Sequence, residues 1–189
     1  IRINNVLTVN FILDTGSRMT ILTEPLLLEF MNLQNVRTTY VQGLGEGDRI
    51  EAQVATGIYM DFEGVVGHNL NLLILPNDLL TFSEIFGKDV YGIIGHDIFK
   101  AFVVEINYQK KYLKLYKPTT YRAKPKTTSI PISIENGKPY VSASVLETDN
   151  SQTDIRLLLD TGATAALSLF DEKVGNPPKT IDTYLGKGL

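Results

Sequence analysis

Along the first 116 residues, apolar side chains recur at alternate positions or in short unbroken runs, the spacing of strands. Thr8–Leu13 (TVNFIL), Arg49–Phe62 (RIEAQVATGIYMDF), Leu70–Leu75 (LNLLIL), Phe102–Tyr108 (FVVEINY) and Lys111–Tyr116 each predict a strand. Asn4-Asn5, Glu63-Gly64 and Asn107–Lys110 punctuate them as turns. Two short helices interrupt the pattern. One covers Glu24–Met31, with Thr23 as N-cap and Pro25 in the first turn; the other is Ile98–Ala101, capped by Asp97. Mostly strand with two short helices predicts an all-β, barrel-like domain over residues 1–116.

The pattern breaks at Lys117–Thr128 (KPTTYRAKPKTT), which has two prolines, no acidic residue and no apolar period, and reads as a linker. Lys110, Lys111, Lys114, Lys117, Arg122, Lys124 and Lys126 crowd this region without an Asp or Glu among them. Stacking aromatics at regular spacing do not accompany the charge, so it reads as a solvated strand and linker and not as a nucleic-acid surface. Residues 129–189 form a further unit. Ile130–Leu146 predicts a hairpin turning at Asn136-Gly137, and Ile155–Leu159 a strand.

That last strand runs into a repeat. Phe11–Thr23 (FILDTGSRMTILT) and Leu157–Leu169 (LLLDTGATAALSL) align at an offset of 146, with three apolar residues, Asp-Thr-Gly, a small residue and a second apolar stretch in register. Chance supplies about 0.04 copies of Asp-Thr-Gly in a chain this long at average usage, so two with matched flanks mark a duplication. A lone Asp-Thr-Gly is an ordinary strand-to-turn corner, but a pair suggests chemistry. Each apolar strand delivers an aspartate, Asp14 or Asp160, to the point where the chain leaves the core. Thr15 and Thr161 offer short hydroxyls that can reach a partner loop. Gly16 and Gly162 leave room for backbone N–H groups to approach a carboxylate. If the loops meet about a pseudo-twofold axis, the two carboxyls share one proton and can hold a water between an acid and a base.

Composition narrows the alternatives. The 189 residues are 43% hydrophobic and 21% charged, enough to bury a core, with net charge −3. The absence of cysteine excludes disulfides, thiolate metal sites and cysteine nucleophiles. His68 and His96 alone are too few for a histidine metal centre or a Ser-His-Asp triad. His68 reads as a surface residue in a Gly67-His68-Asn69 turn and His96 as a helix-entry residue. Neither a metal nor a cofactor is expected. Apolar runs stay short of the about 18 residues that span a membrane.

Three motifs in order make residues 1–116 resemble the retropepsin-like aspartic proteases: Asp14-Thr15-Gly16-Ser17, the glycine-rich Gln42-Gly43-Leu44-Gly45-Glu46-Gly47, and Gly92-Ile93-Ile94-Gly95-His96-Asp97-Ile98-Phe99. The resemblance implies a retropepsin-like acid-protease barrel, one complete lobe followed by a truncated second copy. Asp14 and Asp160 would be catalytic, supported by Thr15, Gly16, Ser17, Thr161, Gly162 and Ala163. Gly43, Leu44, Gly45 and Gly47 would form a flap over an extended polypeptide substrate, and Ile93, Ile94 and Gly95 would brace the active loop from below. Ile21, Leu44 and Ile94 are pocket-lining candidates.

The second copy is shorter than the first. Its counterpart of Gly95 would fall 52 residues past Leu189, and Tyr184–Leu189 resembles the start of a second flap. The sequence therefore reads as a piece of a longer polypeptide. Tandem copies resemble bacterial aspartyl proteases, which implies a cell-envelope, periplasmic or secreted setting and a PDZ domain further along. Three functions stay open: an endopeptidase pairing Asp14 with Asp160, a homodimer pairing Asp14 with Asp14, and a silent binding or scaffold domain of the same fold.

Overall fold

The computed structural model describes residues 1–31, 33, 35–42, 49–76, 82–146 and 150–168. The chain opens with β1 (Arg2–Ile3) and β2 (Leu7–Thr8), joined by a turn in which Asn4 and Asn5 adopt left-handed φ of 47° and 59°, a region asparagine tolerates well. β3 (Phe11–Leu13) and β4 (Thr20–Leu22) follow, then a 3₁₀ turn (Pro25–Leu27) continuing into α1 (Leu28–Met31) and β5 (Val36–Val41). The long hairpin β6 (Ile50–Phe62) and β7 (Val65–Ile74) leads to α2 (Phe82–Phe86), β8 (Gly92–Ile94), α3 (His96–Ala101), and the hairpin β9 (Val103–Asn107) and β10 (Tyr112–Tyr116). Beyond it lie β11 (Ser133–Glu135), β12 (Lys138–Leu146) and β13 (Gln152–Leu158).

Eight strands form one curled sheet in the order β2-β1-β6-β7-β4-β8-β3, with β5 on the free part of β6. β8 lies second from one edge, between β4 and β3. Ile93 pairs with Ile12 of β3 in parallel and with Ile21 of β4 antiparallel, so the strands entering and leaving the Asp14 loop straddle one apolar strand. Gly92 is needed there, because a Cβ would lie 2.2 Å from the Ile21 carbonyl oxygen. β6 alternates Glu51 and Gln53 outward with Ala52 and Val54 inward, then shifts register past Gly57, whose φ of +78° accommodates a bulge. One core cluster gathers Ile3, Val9, Leu22, Met31, Ile58, Met60, Leu72 and Ile74; a second joins Ala52, Val54, Leu73 and Leu75 to Met19, Ile21 and Val41. Leu72–Leu75 are all buried because the end of β7 lies inside the sheet beside β4, with core on both faces. The chain is all-β with a retropepsin-like fold.

β11, β12 and β13 form a separate three-stranded sheet. Asn136 and Gly137, at φ 50° and 77°, make the hairpin turn expected from their sequence. Residues 117–128 contain no strand or helix, but they fold back on the preceding hairpin. Tyr121 packs against Tyr116 at 5.2 Å between ring centroids, and Lys124 reaches Glu105 at 3.4 Å. The Tyr116 and Tyr112 hydroxyls donate to the Glu105 carboxylate, and with Lys124 hold its pKa down at about 2.

Several local expectations are corrected. Thr8–Leu13 is two strands, because the chain swings at Val9-Asn10: Val9 N–H bonds the Ile1 carbonyl, and Asn10 instead engages Asp89 and Tyr91. Thr23 is not a helix cap. Its N–H donates to the Tyr91 carbonyl, and Glu24 caps the 3₁₀ turn through Leu26 N–H. α3 begins at His96 with Gly95 at its N-cap, since Asp97 turns its carboxylate to Thr20. His68 is exposed, but in β7 and not in a turn, with its ring edge-on to Tyr59 at 5.2 Å. None of the helices among the described residues is long and apolar enough to cross a membrane.

Candidate active site

β3 carries the chain out of the core to Asp14, and the strand beneath fixes where it emerges: Asp14 N–H donates to the Ile94 carbonyl at 3.0 Å. The following turn is fastened to the same segment. His96 N–H donates to the Ser17 carbonyl at 2.9 Å. Gly95 is buried so tightly that a Cβ would stand 2.4 Å from the Met19 carbonyl oxygen and 2.6 Å from that of Ser17. Asp97 completes the attachment, accepting from Thr20 N–H at 3.3 Å and from Thr20 Oγ1 at 3.1 Å. Ile93 and Ile94 are buried, each with 7% of its surface exposed, so the loop rests on an apolar floor.

β13 leads through Leu159 to Asp160 at the corresponding position of the second copy. The two loops then interlock through four hydrogen bonds related by approximate twofold symmetry. Thr15 N–H donates to Thr161 Oγ1 at 3.1 Å, and Thr161 N–H donates to Thr15 Oγ1 at 3.0 Å. Thr15 Oγ1 donates to the Leu159 carbonyl at 2.6 Å, and Thr161 Oγ1 to the Leu13 carbonyl at 2.8 Å. Each hydroxyl thus accepts one bond and donates one, leaving neither threonine a spare polar hydrogen.

This interlock brings the carboxyl groups together. Gly16 N–H donates to Asp14 Oδ1 at 2.6 Å; Gly162 and Ala163 N–H groups donate to Asp160 Oδ1 at 2.8 and 3.1 Å. Both glycines are sterically required. A Cβ on Gly16 would sit 2.7 Å from Asp160 Cγ, and one on Gly162 would sit 2.7 Å from Asp14 Cγ. Burial pushes the Asp14 carboxyl up to about 6, helped by a hydrogen bond with Asp160 and by its charge, against the pull of the Gly16 and Gly162 N–H groups. The pair holds a proton where a lone surface aspartate would have lost it.

The structure thus places Asp14, Thr15, Gly16, Asp160, Thr161, Gly162 and Ala163 in one cluster, with Ile93, Ile94 and Gly95 under the first loop. Ser17 is displaced from the carboxyls: its hydroxyl donates to the Met19 carbonyl at 2.8 Å. Gly43, Leu44, Gly45 and Gly47 lie outside the described residues, as does Tyr184–Leu189. Asp97 and Thr20 are supporting residues that sequence reasoning missed, because a bond across 77 positions has no local pattern. The Leu13 and Leu159 carbonyls were also missed, although their equivalence in the repeat was a usable signal. Among the described residues, no group of three or more His, Asp or Glu could hold a metal ion.

An Asp-Thr-Gly loop threaded between two strands over an Ile-Ile-Gly segment, in an all-β sheet of this order, defines the retropepsin class of fold. The model of the aspartyl protease family matches residues 1–98, and the chain belongs to that family. Comparison with curated proteins and with solved structures finds no match.

Proposed function

We propose that this aspartyl protease is an endopeptidase whose dyad is Asp14 and Asp160, supplied by two lobes of one chain, residues 1–116 and 129–189, joined by the linker 117–128. The observation that carries the reading is the reciprocal Thr15–Thr161 interlock, which sets the two carboxyls against each other within one polypeptide. It favours this pairing over an Asp14–Asp14 homodimer, since Thr15 is already engaged by Thr161. Retention of both aspartates, threonines and glycines supports catalysis over a silent scaffold.

The chemistry follows from one shared proton. With Asp14 protonated, the opposing carboxylate takes a proton from a bound water as its oxygen attacks the scissile carbonyl carbon. Asp14 gives its proton to the carbonyl oxygen, forming a neutral gem-diol. Collapse of that intermediate breaks the C–N bond, and the amide nitrogen leaves with the proton held by the second carboxyl. The diol proton returns to the dyad, so no covalent intermediate forms. Substrate binds extended, where it can pair through its backbone as an added strand.

Digestion of an unfolded protein between about pH 3 and 7 tests this. Cleavage blocked by a statine-type inhibitor supports the proposal. No cleavage and no inhibitor binding across that range rejects it in favour of a scaffold.

A further inference from the structure

The segment between the two Asp-Thr-Gly units does not hang free. Residues 117–132 separate β10 from β11, and the sequence folds the first half of them back by two turns. Lys117-Pro118-Thr119-Thr120 and Lys124-Pro125-Lys126-Thr127 each place proline second, the position its fixed φ suits. The Thr120 and Tyr121 N–H groups donate to the Lys117 carbonyl at 3.0 and 3.1 Å, and Thr127 Oγ1 donates to the Lys124 carbonyl.

Between the turns, two side chains grip the preceding hairpin. Half-buried Tyr121 packs on Tyr116, with ring centroids 5.2 Å apart. Lys124 Nζ reaches Glu105 Oε1 at 3.4 Å. Glu105 is aimed for it: the Tyr112 and Tyr116 hydroxyls donate to its two oxygens at 2.8 and 2.7 Å, and Lys114 lies opposite in register, its Nζ over the Tyr112 ring. The ion pair alone contributes little, since the Lys124 side chain is 76% exposed; the ring contact adds burial and aromatic geometry. The Tyr116 and Tyr112 hydroxyls and Lys124 hold the Glu105 carboxyl at about 2 against an ordinary 4.5, so it keeps its charge until pH falls toward 2. The grip therefore persists through the acidic range in which Asp14 keeps its proton, below about 6.

We infer that Tyr121 and Lys124 are positioning residues: they strap the first half of the linker to the β9–β10 hairpin and so keep the Asp160 loop close to the Asp14 loop. With the strap fastened through Lys124, only residues 125–132 are left to span from there to β11. Their reach at full extension is about 28 Å, in place of about 56 Å for the whole of 117–132. Halving a flexible span raises the local concentration of one end about the other about threefold. This rests on the two-lobe reading above, but its readout does not need turnover.

Hydrogen exchange by NMR on the full chain tests it. The Thr15 and Thr161 N–H groups donate across the interlock, so their exchange measures how often the two loops part. The Asp14 N–H, bonded to the Ile94 carbonyl, is the reference. In Tyr121→Ala/Lys124→Ala, trypsin should cut Arg122–Ala123 faster, Thr15 and Thr161 exchange should rise about threefold, and Asp14 exchange should keep the parental rate. Tyr121→Phe retains the ring and should match the parent. An insertion of eight Gly and Ser residues after Thr127 leaves the strap whole, doubles the free span and should give the same threefold rise; it decides the matter if the double variant does not fold. Faster cutting with unmoved Thr15 and Thr161 exchange would overturn the inference, as would an equal rise at Asp14, the mark of general loosening. Unprotected Thr15 and Thr161 amides in the parent would remove the interlock and the inference with it. A parent with protected amides that cleaves no substrate refutes the proposed activity alone, and the exchange rates of the variants still decide the strap.

Discussion

Replacing Thr161 by valine removes one hydroxyl at constant shape and so isolates the interlock. Two bonds disappear, the one accepted from Thr15 N–H at 3.1 Å and the one donated to the Leu13 carbonyl at 2.8 Å, and both backbone partners sit partly buried. A net hydrogen bond contributes about 0.5–1.5 kcal/mol, and a partner left without one costs more when water cannot reach it. Two bonds at a partly buried site give about 2 kcal/mol. For a chain of this size, that lowers Tm by about 4–8 °C. Thr15→Val loses the bond to the Leu159 carbonyl and the one accepted from Thr161 N–H, and should cost a similar amount. Because each hydroxyl serves the other loop, the double variant should fall short of the sum by about 0.5–3 kcal/mol. Thermal unfolding of the four chains of the cycle measures this, with peptide cleavage beside it. Strict additivity, or a Thr161→Val chain with parental Tm and activity, would refute the interlock as the joint between the loops.

Two other perturbations read the dyad directly. Asp14 binds its proton more tightly folded, near 6, than unfolded, near 3.8. The stabilisation from this proton is therefore fully present below about pH 3.8 and is lost as pH rises through about 6; unfolding across this range should show the decline in the parent and not in Asp14→Asn, and cleavage should fade above about pH 6. Gly162→Ala puts a methyl group 2.7 Å from Asp14 Cγ, so kcat should drop about a hundredfold by misplacement, with a smaller loss from Ser17→Ala, whose hydroxyl donates to the Met19 carbonyl and not to the carboxyls.

What the sequence made legible follows from which interactions are local. The two Asp-Thr-Gly loops could be read because the motif repeats, and a duplicated loop implies its own partner. Ile93-Ile94-Gly95 was readable as an apolar segment passing beneath another backbone. The turns at Asn4-Asn5, Glu63-Gly64 and Asn136-Gly137 were readable because positive φ favours the Asn and Gly residues in them. What escaped was settled by distant partners. Asp97 looks like a helix cap until Thr20 takes its carboxylate. β5 carries exposed Val36, Arg37 and Thr38 on the edge of β6, so its apolar pattern is weak. α2 is held by Ser83, whose hydroxyl bridges both backbone groups of Val90, a bond no periodicity announces.

The central claim is that Asp14 and Asp160 of one chain form the dyad. The direct measurement is cleavage of an unfolded protein by Asp14→Asn and Asp160→Asn, each alone and then mixed in equal amounts. An intramolecular dyad predicts that each variant is inactive by itself and that mixing restores nothing. Parental cleavage by Asp160→Asn, or activity recovered on mixing, would contradict it.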